Sequence, residues 1–287
     1  VNLRGIGRFT NNRSSEGGVA IYNDGFYTSS TVTAATSSLF TERTEVLRGP
    51  QGTLYGRNSI GGAINIISKR PTDELYAEVR GTLANYDRRV LEGAISGPIT
   101  DNLRYRLVAN YDDQDEGYFK NISGGPDEGG VGDQWQAQVQ LEGSFFDDRL
   151  EFWFRADTAE WHNIGRGPGG RSTYTTAPYE TFPLNFTGLN YNPLFVAPGT
   201  APGFDTTRPA LRDNRLFDAN RPNYIDLESD TEILHVTLHL DDLDIRYIGG
   251  HTYYNYRLQT DLDGTSRTTP IVITPTTVIG PPNAAFP

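Results

Sequence analysis

The sequence predicts a mostly β protein: a transmembrane antiparallel β-barrel, represented by about seven of its strands. Three observations carry that expectation. Apolar and polar residues alternate with period two over long stretches. These stretches run about ten residues or more, the length a tilted strand needs to cross a hydrocarbon layer. The connections between them are short and long by turns, the pattern of tight turns on one edge and long loops on the other.

The first part of the chain has a different texture. Residues 1 to about 70 are rich in Gly, Ser, Thr and Asn, with short apolar runs. VAIYNDGFY, from Val19 to Tyr27, predicts a hairpin, because Asp24-Gly25 supplies the positive φ of a tight turn. Ala63 to Ile67 predicts another strand, and Pro71 punctuates its exit.

From Leu75 onward the alternation is persistent. Trp135, Ala137, Val139, Leu141, Gly143 and Phe145 are interleaved with Gln134, Gln136, Gln138, Gln140, Glu142 and Ser144. Leu103, Tyr105, Leu107, Ala109 and Tyr111 alternate with Arg104, Arg106, Val108, Asn110 and Asp112, and Leu150 to Asp157 behaves alike. Strands are expected near 75–85, 89–97, 102–113, 134–146, 149–160, 231–241 and 244–257.

Gly97 to Asn102, Phe146 to Arg149 and Asp241 to Asp244 are expected as tight turns. Gln114 to Asp133 and Trp161 to Asp230 are expected as long loops, and another long segment opens after Arg257. The hairpin near Asn85 to Arg88 is short on the long-loop side. A soluble β-sandwich would also alternate, but its strands average about five or six residues and its loops seldom exceed roughly 15. Register separates the two faces: a slip of one residue in the third strand would aim Arg104 and Arg106 at lipid, costing about 2–4 kcal/mol each near the midplane. The polar set therefore faces a lumen that holds water or a polar plug.

Composition excludes several classes. The chain has 287 residues, a net charge of −11 and 36% hydrophobic residues, too apolar for a disordered chain. The acidic balance argues against nucleic acid as a partner. The absence of cysteine excludes disulfides and thiolate metal sites. No run is long and apolar enough for a transmembrane helix. With no methionine in the chain, Val1 is not expected to be a translation start, and the missing signal peptide says nothing about secretion.

EVLRGPQGTLYGRNSIGGAINIISKRP, from Glu45 to Pro71, places five glycines between two strand-like ends. A phosphate-binding loop would need GxxxxGK before Ser or Thr, and GRNSIGG lacks that lysine. A flexible linker would lack Leu47, Leu54, Ile64, Ile66 and Ile67. The remaining reading is a compact domain whose glycines let backbone approach a surrounding wall.

This stretch, preceded by LRGIG (Leu3 to Gly7) and GVAIYNDGFY (Gly18 to Tyr27), resembles the plug domain of TonB-dependent outer-membrane receptors. The resemblance covers residues 1 to about 75 closely and extends to the barrel's general plan through ISGPITDNLRYRL, Ile95 to Leu107. It implies residues 1–74 as the C-terminal half of an α+β plug in the lumen, and 75–287 as the N-terminal part of a 22-stranded barrel with long extracellular loops. The earlier half of the plug, the coupling segment and the closing strands are then expected outside this chain. The resemblance also implies an outer-membrane location amid lipid and lipopolysaccharide, and active import of a scarce substrate, foremost a ferric siderophore. It implies a TonB energy-transducing complex as partner. The sequence offers no arrangement of a nucleophile, its base and an orienting group, so neither catalysis nor a resident cofactor is expected.

By the same resemblance, plug loops 9–17 and 28–38 face outward, and Phe9, Asn11, Asn12, Arg13 and Tyr55 are candidate substrate contacts. An aromatic face and an arginine fork suit an anionic, often aryl-bearing ligand. The alternative is that they are ordinary turn residues. Arg48 and Arg57 are expected at the plug–barrel contact, with Glu78, Glu92, Glu142 and Glu151 as candidate partners for Arg48, because buried charges persist only when paired. Alternatively, Arg48 caps plug carbonyls.

The long loop carries aromatics from Tyr174 to Phe195 and arginines from Arg166 to Arg221; gating or substrate binding is one reading, and self-packing is preferred for most of the aromatics. His235 and His239 lie four apart on a strand, about 13 Å, too far to share a metal. Asp112, Asp113, Asp115 and Glu116 could attract calcium, but their spacing lacks the EF-hand order. Asn121-Ile-Ser and Asn185-Phe-Thr match a glycosylation pattern of no consequence in a bacterial outer membrane. The competing readings are an oligosaccharide or cobalamin importer of the same family, a passive porin and a soluble β-rich carbohydrate-binding protein or adhesin.

Overall fold

The computed structural model describes residues 2–3, 6–7, 17–28, 37–121, 125–164, 216–217 and 223–259. Two short strands, β1 (Asn2–Leu3) and β2 (Ile6–Gly7), pair antiparallel at the front. A four-stranded sheet follows, built from β3 (Val19–Asn23), β4 (Phe26–Thr28), β5 (Thr41–Arg48) and β6 (Gly62–Ser68). Its order is β4-β3-β6-β5, with β3 and β6 parallel, and a one-turn helix α1 (Gly52–Tyr55) lies between β5 and β6. The expected hairpin is present, with Asp24 at φ 50° and Gly25 at φ 82° in its turn. The expected strand at 63–67 is β6, one residue longer at each end.

At Gly62, one of the five glycines in the stretch from Glu45, the need for glycine is explicit. Gly62 opens β6 at φ +143°, where L side chains are strained, and a Cβ there would lie 2.1 Å from the Leu47 carbonyl oxygen. Only glycine lets β5 and β6 close up at that point.

The barrel wall begins with β7 (Tyr76–Ala84), β8 (Arg88–Thr100) and β9 (Leu103–Gln114). A loop carrying β10 (Lys120–Asn121) leads to β11 (Val131–Phe145) and β12 (Leu150–Ile164). After β13 (Leu216–Phe217), which pairs with β10, come β14 (Tyr224–His239) and β15 (Asp244–Gln259). These seven long strands form one antiparallel sheet in the order β15-β14-β12-β11-β9-β8-β7, each next to its chain neighbour. No helix of the described residues is long and apolar enough to cross a membrane. The long strands instead have the length to do so.

All seven expected strands are present, with one substantial correction. The loop expected over Trp161 to Asp230 is shorter, because β12 runs on to Ile164 and β14 starts at Tyr224, with Trp161 opposite Leu227. The central part of that loop, with its aromatics and arginines, lies outside the described residues. So do the segment after Gln259 and the acceptor Asn185. The loop expected over Gln114 to Asp133 contains a bridge of its own between Phe119 and Glu128.

Register fixes the two faces. Arg106 lies opposite Gln140, Gln140 opposite Arg155 and Arg155 opposite Ile233, so one row of side chains runs across the same face. On that face Arg106, Gln138, Gln140, Arg155 and Asp157 are buried. On the other, Val79, Leu91, Leu107, Val139 and Tyr247 are exposed. Val79, Ile95, Leu107, Ala109, Ala137 and Val139 also line a hollow of about 1000 Å³. The polar face is therefore the covered one, and the apolar face looks out, inverting the pattern of a soluble protein.

What covers the polar face is the four-stranded sheet and its flanks. Leu39 and Phe40, just before β5, pack with Ala94 and Val108 of the wall in a single buried cluster, with Tyr76 against it. Ala94 and Val108, on the inward rows of β8 and β9, are apolar where Leu39 and Phe40 arrive.

Candidate functional site

The candidate site is the seam between the small sheet and the wall, together with the ends of the wall strands above it. Asp24, in the turn between β3 and β4, is anchored first within its own sheet. Its Oδ1 accepts the Ser68 backbone N–H at 2.8 Å and its Oδ2 accepts the Ser68 hydroxyl at 2.8 Å. The wall answers from β12: Nη1 of Arg155 donates to Asp24 Oδ2 at 2.6 Å and to Ser68 Oγ at 3.0 Å. Arg155 also holds Asp157 through Nε at 2.7 Å and through Nη2. The side chains of Asp24, Arg155 and Asp157 retain only 1%, 6% and 3% of their exposure. Charges buried this deeply persist only when paired and hydrogen-bonded.

Neutral contacts flank this ion cluster. Nη2 of Arg106 donates to the Leu39 carbonyl at 2.8 Å, and Nη1 of Arg80 to Ser38 Oγ at 2.6 Å. The connection from β6 to β7 is held along its length. Gln140 Nε2 donates to the Lys69 carbonyl at 2.9 Å, the Thr72 N–H donates to Ser96 Oγ at 2.9 Å, and Arg104 pairs with Asp73. Burial lowers the affinity of the Arg70 guanidinium for its proton, against the pull of Glu142 and Asp24.

Two polar-aromatic clusters lie elsewhere. In the small sheet, Tyr22 meets the rings of Tyr27 and Tyr55 edge-on, at centroid separations of 5.7 and 5.0 Å. The Tyr22 hydroxyl donates to the Tyr55 carbonyl, and burial raises the Tyr22 pKa. Asn58 Nδ2 donates to the Tyr27 hydroxyl at 3.0 Å. At the loop ends of β8, β9, β11 and β12, a cavity of about 210 Å³ is lined by Arg88, Asp112, Gln134, Tyr118 and Trp161 among others. Arg88 grips both oxygens of Asp112, at 2.8 and 2.6 Å, and Gln134 donates to the same carboxylate at 2.9 Å.

The residues named from sequence fall as follows. Phe9, Asn11, Asn12 and Arg13 lie outside the described residues. Tyr55 is half-buried in the tyrosine cluster, and Arg57 stacks over Tyr27 at 5.7 Å. Arg48 is exposed on β5, and among the described residues no ion pair joins it to the four carboxylates proposed for it. Glu78 binds Arg80 and Tyr76, Glu92 faces Arg80 across the ladder, and Glu151 lies 3.7 Å from His239. Glu142 attracts Arg70, and Glu78 attracts Lys69, both on the connection from β6 to β7.

The four acids at 112–116 do not converge, because neighbours on a strand point to opposite faces. Asp112 holds Arg88, whereas Asp113 and Asp115 approach Arg89 at 4.0 and 3.5 Å. His235 is buried edge-on against Trp153, and His239 bonds Asp244 at the turn. Sequence reasoning did not single out Asp24, Ser68 or Asp157 as seam residues. Arg155 and Asp157, two apart on the inward face of one strand, are the signal that was available.

Comparison with known proteins agrees with this geometry. Residues 1–63 match the model of the TonB-dependent Receptor Plug Domain. The chain is 35% identical over 112 residues to the pesticin receptor of Yersinia enterocolitica, covering 38% of this chain and 16% of that protein. It is 38% identical over 100 residues to the ferric-pyoverdine BN7/BN8 receptor of Pseudomonas putida, covering 33% of this chain and 12% of that one. Among solved structures, the ferric yersiniabactin uptake receptor FyuA of Yersinia pestis superposes with a TM-score of 0.60 at 22% identity, over 85% of this chain and 33% of that chain. The closed form of the ferric-catecholate import receptor Fiu of E. coli K12 superposes with a TM-score of 0.61 at 18% identity, over 83% of this chain and 29% of that chain. The chain thus spans about a third or less of the proteins it resembles. Residues 1–63 thus carry the plug domain of TonB-dependent receptors, seated by a buried ion pair on the polar face of an antiparallel wall whose apolar face looks outward.

Proposed function

We propose that the full-length protein imports a ferric siderophore across the bacterial outer membrane, drawing energy from a TonB complex that pulls on the plug. It acts as a transport receptor and performs no catalysis. The observation that carries the reading is the plug sheet lodged on the charged inner face of the wall, with Asp24 and Arg155 buried between them. A passive porin has no use for such an obstruction, and a soluble lectin has none for an exposed outer row of Val79, Leu91, Leu107 and Val139. The relatives whose names include ferric-pyoverdine and ferric enterobactin favour an iron chelate over a glycan or cobalamin as cargo.

We assign residues 1–74 to the plug and 75–287 to the barrel, with lipid and lipopolysaccharide around the latter. Phe9, Asn11, Asn12, Arg13 and Tyr55 remain the proposed substrate contacts, and Arg48 and Arg57 remain proposed for the plug–barrel contact. The test is growth of a deletion strain, complemented with the full-length gene, on a panel of ferric chelates, cobalamin and glycans. Rescue by a ferric chelate, lost when the proton-motive force is collapsed, is the expected result. Rescue by a glycan alone, or uptake that survives the collapse, would overturn it.

A further inference from the structure

We propose that Asp24 and Arg155 form a latch built to part: a charge contact that holds the plug sheet to the wall and separates without leaving either ion bare. The inference rests on the importer reading and specifies which contact yields when the plug moves. Its basis is where the remaining bonds of each ion go. Asp24 keeps the Ser68 N–H and hydroxyl, both at 2.8 Å and both within the plug sheet. Arg155 keeps Asp157, two residues along the same strand, through Nε at 2.7 Å and through Nη2. Only the two bonds from Nη1, to Asp24 at 2.6 Å and to Ser68 Oγ at 3.0 Å, cross the seam.

That division decides the behaviour of the contact. Two buried charges joined only to each other resist separation, because each is stranded when the other leaves. Here the guanidinium falls back on its own carboxylate, and the Asp24 carboxylate falls back on two donors of its own sheet. The intact cluster holds one cation and two anions, so withdrawing Asp24 also relieves the repulsion between Asp24 and Asp157. Among the described residues no second ion pair joins the two sheets themselves: Arg104 pairs with the exposed Asp73 on the connection after β6, and the flanking contacts of Arg106 and Arg80 are to neutral oxygens of Leu39 and Ser38. Asp157 is therefore a positioning residue: it acts on the plug through Arg155 of its own strand, and so sets how readily the latch reopens.

The test uses the full-length receptor in planar bilayers, with potassium chloride as the only probe, and counts channel openings under applied voltage. Heat-modifiable electrophoresis confirms that each variant has an assembled barrel. Asp24→Asn removes the crossing charge and is expected to raise the opening frequency at least about tenfold, since the lost bond is charge-assisted and buried. Asp157→Asn takes away the partner that Arg155 falls back on, and is expected to make openings rarer than in the wild type. Arg155→Gln removes the crossing charge from the other side, is expected to match Asp24→Asn, and decides the matter should that variant assemble poorly. A merely structural role would send every variant the same way, towards more openings. Asp24→Asn and Arg155→Gln at wild-type frequency, or Asp157→Asn opening more often than wild type, would overturn the latch. The readout needs neither substrate nor energy source, so the importer reading can fail in the growth screen without deciding whether the latch exists.

Discussion

Arg70 sits over the indole of Trp153, its guanidinium carbon 3.8 Å from the ring centroid. The pair joins the first residues beyond the plug sheet to the inner face of β12, and the indole N–H donates to Gln140 Oε1 at 3.0 Å. Gln140 in turn holds the Lys69 carbonyl, so ring, amide and connection form one clamp. Trp153→Phe keeps a ring under Arg70 and gives up the N–H bond, an expected loss of about 1 kcal/mol. Trp153 is 2% exposed, and Trp153→Ala empties its site, an expected loss of about 3–5 kcal/mol. Unfolding of the full-length receptor in detergent, followed by circular dichroism, checks the ranking; equal losses would show that only the N–H bond matters.

Gly62→Ala is expected to unseat the plug sheet while sparing the wall. The new Cβ would meet the Leu47 carbonyl at 2.1 Å with φ at +143°, so β5 must move away from β6. A strained φ alone costs about 1–3 kcal/mol, and the clash adds to it. Limited proteolysis of the assembled receptor should cut the plug faster in the variant, with the heat-modifiable barrel unchanged. Wild-type protease resistance would contradict this account of the glycine.

The fold was legible where one local rule decided it. Period two marked the wall strands because inward and outward residues differ so strongly in polarity, as Gln138 and Val139 do. The Asp24-Gly25 turn was legible because few residues accept positive φ. Only the second half of β5, from Glu45, reads as strand-like; its first half, TERT from Thr41 to Thr44, has no apolar residue to mark it. The start of β14 was missed because Asp226, Glu228 and Asp230 occupy its outward side, which an apolar pattern would not include. The seam was the least legible part. Asp24 and Arg155 are 131 residues apart, and their meeting depends on how a whole sheet sits against a wall. Arg48 drew attention as the charged residue of a recognisable motif, whereas the buried cation that reaches the plug sheet belongs to β12.

Charge placed on the outward face should be costly, and on the inward face cheap. Leu141 lies in the outward row between Tyr105 and Phe154, whereas Gln136 lies in the inward row between Asn110 and Ala159. Leu141→Arg is expected to destabilise the full-length barrel by about 2–4 kcal/mol if its row lies near the midplane. Gln136→Arg, with partial exposure towards the lumen, should change stability by less than about 1 kcal/mol. Folding into lipid vesicles against a urea series distinguishes them. Equal tolerance of both substitutions would show that the row of Tyr105, Leu141 and Phe154 does not face acyl chains.

The loop clasp at Glu128 should loosen as pH rises. Glu128 is buried against Asn223, whose backbone N–H donates at 3.0 Å and whose amide donates at 2.8 and 3.1 Å to the two oxygens. Burial raises the Glu128 pKa more than the Asn223 bonds lower it. The folded state therefore disfavours the ionised form relative to the unfolded loop. The clasp is at full strength below the ordinary glutamate pKa of about 4.3 and weakens as pH climbs through the raised value. Glu128→Gln keeps an acceptor for the two shortest bonds and removes the charge, so its clasp should not weaken in that window. Proteolysis of the full-length receptor at the loop ends near Gly117 and Asn223, taken as the ratio of wild type to Glu128→Gln, should rise with pH above about 4. A ratio that falls instead would mean that the hydrogen bonds from Asn223 outweigh the burial of the carboxylate.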